Sequence, residues 1–94
     1  MTETISGQKT VTTAGTEVQL SSNLVANCAV MVKALTTNTG LVYVGQVAGV
    51  VSSSTGMPLA AGDVIIFDNV GNLNEIWVDS AVNGEGVAYL LLSA

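Results

Sequence analysis

The run Asn83-Gly84-Glu85-Gly86-Val87-Ala88-Tyr89-Leu90-Leu91-Leu92 poses the problem that the fold has to solve. Its two glycines and asparagine supply positions where positive φ costs little, so the chain turns there. Six apolar residues follow, and in a strand they divide into Val87, Tyr89 and Leu91 on one face and Ala88, Leu90 and Leu92 on the other. One set faces a core. The other set needs either a central place in a sandwich or the surface of a second subunit.

The rest of the chain speaks the same language. Fifteen valines and ten threonines, against a single proline, favour short strands, because β-branched side chains suit a pleated surface and lose rotamer freedom in helices. No segment carries a sustained helical stripe. Gln8 to Thr13 and Glu17 to Leu20, separated by Ala14-Gly15-Thr16, read as a hairpin. Cys28 to Leu35 is apolar on both faces apart from Lys33 and reads as a covered strand, after which 36–40 turns the chain. Leu41 to Val47 and Gly49 to Val51 are further strands, with Gly45 and Gly49 as bulge or bend sites. The polar run 52–56 is a turn, and Met57-Pro58-Leu59 is an edge, since proline cannot donate to a ladder. Val64 to Asp68 reads as a buried strand. A loop over 69–74 then leads to Glu75 to Ser80, and Val87 to Leu92 closes the chain. The expectation is all-β: a single small antiparallel β-sandwich, jelly-roll-like, of about eight short strands, with residues 1–7 as a flexible N-terminal arm and 8–94 as the domain.

Composition removes most chemistries. The 94 residues are 49% hydrophobic and only 10% charged, where soluble domains carry roughly 25% charged residues. Seven acids, two lysines, no arginine and no histidine give a net charge of −5. A surface so poor in cations cannot hold phosphates, so nucleic acid is not an expected partner. Without histidine there is no His-based triad and no HExxH zinc site, and a lone Cys28 closes no intrachain disulfide and reads as a small buried hydrophobe. Neither a signal-peptide pattern nor a membrane span is expected, because the apolar stretches are broken by Gly, Asn, Asp or Ser.

The polar stretch Asp68-Asn69-Val70-Gly71-Asn72-Leu73-Asn74-Glu75 offers hard oxygen ligands, yet its spacing does not match an EF-hand loop, and Asn and Asp also stabilise turns through their own backbone. Asp63, Asp68, Glu75, Asp79 and Glu85 contain no pair singled out by spacing as a glycosidase pair. The expectation is therefore a non-enzyme with no cofactor and no metal. Trp77 is the most informative side chain: if Ile76 and Val78 face the core, alternation sends Trp77 outward between Glu75 and Asp79, where a tryptophan can anchor an interface. Trp77, Tyr43, Tyr89 and, in the arm, Ile5 are the candidate interface residues. The three aromatic rings could alternatively form a sugar-stacking platform.

The segments Lys9-Thr10-Val11-Thr12-Thr13-Ala14-Gly15-Thr16 with Val18-Gln19-Leu20-Ser21, then Thr39 to Gly45, then Pro58-Leu59 before Ala61-Gly62-Asp63, and finally Asn83 to Tyr89, resemble small β-sandwich proteins of tailed-bacteriophage virions. The resemblance runs from Lys9 onward and lies in turn and strand residues. It implies a structural virion component on the capsid surface, made in the host cytoplasm: a capsid decoration (cement) protein whose partner is the major capsid protein, or alternatively a receptor- or glycan-binding module of a tail or head fibre. It brings no catalytic residues. A homo-oligomer is expected, a trimer if it matches three-fold positions of a shell.

Overall fold

The computed structural model describes residues 6–46, 49 and 51–93. Among the described residues eight strands run in the order β1 (Ser6–Val11), β2 (Val18–Gln19), β3 (Ala26–Ala34), β4 (Val42–Gln46), β5 (Met57–Leu59), β6 (Val64–Asn72), β7 (Ile76–Ser80) and β8 (Glu85–Ser93), with a 3-10 turn at Leu73–Glu75. They form two four-stranded antiparallel sheets, β1-β8-β3-β6 (sheet A) and β2-β7-β4-β5 (sheet B). From the β4·β5 pair outward, the pairs 3·6, 2·7 and 1·8 fall alternately in the two sheets. A long antiparallel ribbon wrapped in this way is a jelly roll, the architecture expected from the sequence. The Cα extents of 36 × 26 × 18 Å leave room for two layers and not three, since packed sheets lie about 10 Å apart.

The core between the sheets is aliphatic. Nine of the fifteen valines line it, joined by Leu20, Leu59, Leu73, Ile76, Leu91 and Cys28, with Ile65, Phe67 and Tyr89 packed at its margin. Valine suits the place because its one favoured rotamer loses little on burial and its branched Cβ fills the space above a pleat.

Several expectations are corrected. The first two strands form no hairpin: β1 pairs with β8, β2 pairs with β7, and the link over 12–17 crosses from one sheet to the other. That link is held in place because the Ala14 N–H donates to Asn83 Oδ1 (2.7 Å) and the Gly15 N–H to Asp79 Oδ1 (3.0 Å). Ser6 and Gly7, assigned to the arm, already pair with Leu90 and Tyr89, while residues 1–5 and Ile5 with them lie outside the described residues. Gly49 sits in a turn at φ +85° and Val51 belongs to no strand, residue 50 of that expected strand lying outside the described residues; the Glu17 carboxylate takes the N–H groups of Gly49 (2.9 Å) and Val51 (3.2 Å) in place of a strand partner.

The irregularities of register fall elsewhere than at Gly45, which stays opposite Trp77. Ala29 faces two residues on β6, Asp68 and Asn69, and the register against β8 also shifts beside it, at Leu92. The extra β6 residue returns Val70 to the core, so β6 runs on to Asn72 instead of ending at Asp68. Val64–Asp68 is not a buried strand but part of an edge, with Val64 46% and Ile66 53% exposed. The strand from Cys28 is covered on its inner face only; Met31 is half-buried and Lys33 exposed on the other.

At one corner the chain approaches itself so closely that a side chain is excluded. Gly86 lies in β8 opposite Thr10, and a Cβ there would overlap the Lys9 carbonyl. Its requirement is therefore space, whereas Gly84, at φ +81°, supplies the left-handed turn residue. The buried Asn38 amide reinforces the spot, donating through Nδ2 to the Gly86 carbonyl (2.8 Å) and accepting the Gly86 N–H at Oδ1 (3.3 Å). Gly86→Ala is expected to destabilise the fold by about 3 kcal/mol or more, read from the urea midpoint, because backbone and not a mobile side-chain end must move.

Candidate interface on the outer face of sheet A

Strand alternation fixes what each sheet presents to the outside. In sheet A, one row across the four strands reads Ser6, Leu90, Met31, Ile66, and the next reads Gln8, Ala88, Lys33, Val64. These are the residues opposite in parity to the buried Val30, Val32 and Val87. Leu92, 47% exposed, extends the apolar surface along β8. The small side chain of Ala88 leaves a shallow depression of about 120 Å³ lined also by Met31, Lys33, Tyr89 and Leu90. The face is thus apolar from β8 across to β6, interrupted by one cation, Lys33, and bounded on β1 by the polar Ser6, Gln8 and Thr10.

The outer face of sheet B is furnished differently, because the chain's own loops lie on it. Tyr43 points outward from β4 yet is only 8% exposed, packed against the loop at Gly56 and Val51. The absent side chain of Gly45 makes room for Val51, whose Cγ2 would stand 3.0 Å from a Cβ there. Asp79 is buried beneath the 12–17 link, with Oδ1 accepting the N–H groups of Gly15 and of Ser80 (2.8 Å). Trp77 does lie on the outer face, since Ile76 and Val78 are fully buried, and it is half-buried between Gln19 and Gly45.

The candidate aromatic residues are consequently not assembled into one platform. Tyr43 and Trp77 share the outer face of sheet B, Tyr43 beneath a loop. Tyr89 belongs to sheet A, and its ring packs toward the core and over Gly7. The polar candidates have local employment: Asp63 Oδ2 accepts the Ala60 N–H (3.0 Å), and the amide oxygen Oδ1 of Asn72 accepts the Val25 N–H (3.0 Å) and caps the 3-10 turn. Among the described residues no three His, Cys, Asp or Glu side chains gather as a metal site. Cys28 is buried in the core, and burial pushes its thiol pKa up, so alkylation requires opening of the sandwich. Met31, Ile66 and Val64 are not singled out by the sequence, whereas Leu90 belongs to the set of the last strand that calls for a cover. The signal was the parity of the apolar runs, which tells which residues share a face but not which face is covered.

No protein-family model, no curated protein and no solved structure matches this chain.

Glu85 clasps the 36–40 turn. Its carboxylate accepts the N–H of Gly40 (2.9 Å) and of Thr39 (2.7 Å) and the Thr39 hydroxyl (2.8 Å), and these bonds, the one from Gly40 foremost, hold its pKa below the ordinary 4.5. A carboxyl whose folded pKa is lowered adds stability that is fully present above its unfolded value and is lost as pH falls through the folded value. Acid titration of the thermal midpoint should therefore show a decline beginning below about pH 4.5. The Glu85→Gln variant should start lower and lack that part of the decline.

Proposed function

We propose that this chain is a non-enzymatic structural protein of a tailed-phage virion, a capsid decoration protein that lies on the outside of the head as a homo-oligomer and binds the major capsid protein. The observation that carries the reading is the bare apolar outer face of sheet A, set against an opposite face that the chain covers with its own loops. A protein that works by adhesion needs such a face and no reaction centre. The turn and strand residues that resemble virion β-sandwich proteins support the same reading, which rests on these two features and on no matched relative.

Magnitudes show how the face would work. Burying the exposed remainder of Met31, Val64, Ile66, Leu90 and Leu92 is worth roughly 1 kcal/mol each. A total near 5 kcal/mol is about what association itself costs, so a single such contact leaves little net affinity. One subunit alone would hold weakly, and an array of linked copies would hold well, because each further contact becomes intramolecular. Stabilisation of the shell follows by mass action, since only the assembled state offers the site. The net charge of −5 keeps free subunits soluble and suits a basic patch on the capsid protein.

Quantitative mass spectrometry and cryo-electron microscopy of purified virions test the reading directly: hundreds of copies arrayed on the head are expected, and a few copies at the tail or none would overturn it. Met31→Lys and Leu90→Lys should each leave the far-UV spectrum unchanged and lower head occupancy at least tenfold; unchanged occupancy in both would remove this face from the contact.

A further inference from the structure

We infer that two copies of this chain join edge to edge through β6, as an antiparallel pair centred on Ile66 that fuses the two A sheets into one eight-stranded sheet. Such a dimer deepens the homo-oligomeric reading above, and it is tested on the purified chain without heads, so that its failure and the failure of head binding are told apart.

The four sheet edges are not alike. In sheet B, β2 has two residues and β5 three, one of them Pro58, so neither can template a partner. In sheet A, β1 presents Lys9 among the polar Ser6, Gln8 and Thr10. β6 is nine residues long, contains no proline and carries the consecutive apolar residues Val64-Ile65-Ile66-Phe67. Among the described residues, no backbone group of 64–71 bonds outside the ladder to β3. Among the described strands it is the one long edge left without a blocking device over its first half.

Register follows from the two features that bound that half. The turn at Asp63 ends it on one side and the bulge at Asp68-Asn69 on the other, so the regular stretch is 64–68 and its midpoint is Ile66. Antiparallel pairing about Ile66 keeps inward residues opposite inward residues; a slip of one residue would set the core-facing Ile65 against the outward Ile66. Centred there, Ile66 meets the partner subunit's Ile66. Ile65 meets the partner subunit's Phe67, and Val64 meets the partner subunit's Asp68. Ile65 and Phe67, packed at the open margin of the core, then cover their counterparts, and the two ladders exchange about four to six hydrogen bonds.

Charge complements the same register. Lys33 stands on the outer face beside Val64 in the β3·β6 ladder and has no ion-pair partner among the described residues. In the dimer the partner subunit's Asp68 lies just beyond Val64, two strands or about 10 Å from Lys33 between backbones. An extended lysine and an aspartate span that distance, and the two-fold axis makes the pair twice. The joined outer faces double the apolar area that each copy offers.

Sedimentation equilibrium of the full chain, with oxidative cross-linking, tests this. A concentration-dependent dimer is expected. Ile66→Cys should form an intermolecular disulfide under mild oxidation, since directly opposed residues lie about 4.5–5.5 Å apart, and Val64→Cys should not, since two-fold related copies of position 64 lie roughly 13 Å apart. Asp68→Lys should weaken the dimer at least tenfold, and Lys33→Asp with Asp68→Lys should return it to within about threefold of the original. Both positions are exposed, and far-UV spectra verify that each variant is folded. A chain that stays monomeric to millimolar concentration, a trimer, equal cross-linking at 64 and 66, or a double variant no better than Asp68→Lys would each overturn the pairing.

Discussion

A β-strand cannot choose which of its residues to hide; it can only send alternate side chains to opposite faces. In β3, β6 and β8 both alternating sets are largely apolar, with Lys33 and Asp68 the charged exceptions on the outer face, and everything distinctive about this molecule descends from that. Once Val30, Val32, Val87 and Leu91 are committed to the space between the sheets, Met31, Ala88, Leu90 and Ile66 are committed to the outside. Sheet B has the same obligation and meets it with loops, drawing Gly56 against Tyr43 and Val51 over Gly45 and seating the 12–17 link on Asp79. The two faces of the sandwich therefore differ in character even though the strands beneath them are alike in composition.

The loops that do this are held by side chains acting in place of strands. Glu17, Asp79, Asn38 and Glu85 each accept backbone N–H groups from a neighbouring segment, and none is spent on another side chain's charge. In a chain with two cations, carboxylates have few ion-pair partners to find, so turn amides take that role. The acidic balance is thus as much a means of tying loops as a property of the surface.

The architecture was legible because period-two alternation and glycine- and asparagine-rich turns are local signals. Gly15, Gly62 and Gly84 do occupy positive-φ turn positions, and strands lie close to where they are expected around 28–35, 42–46 and 87–92. Pairing was less legible. A short turn between two β-prone runs suggests a hairpin, and the sequence near Gly15 holds no sign that Thr10 will be met by Gly86 far along the chain. The sequence ends a strand at Asp68 and opens a loop at Asn69 because polar residues interrupt an apolar run there, whereas Val70 resumes the core face one residue out of step. The site was the least legible part. Whether Trp77 or Met31 is left for a partner depends on where unrelated loops come to rest, and no residue near either one encodes that.

The pairing of β1 with β8 also bears on how the chain comes to be folded. The first strand has no neighbour in its sheet other than the last, so sheet A cannot be completed while any part of the chain is missing. Such non-local closure makes folding slow, on the scale of milliseconds to seconds for barrels and sandwiches, because loop-closure entropy is lost before the contacts that repay it form. On the ribosome, β3 and β6 would stand side by side with neither β1 nor β8 beside them, their apolar faces open on both sides. Synthesis thus exposes this chain most in the interval before the nine residues of β8 emerge.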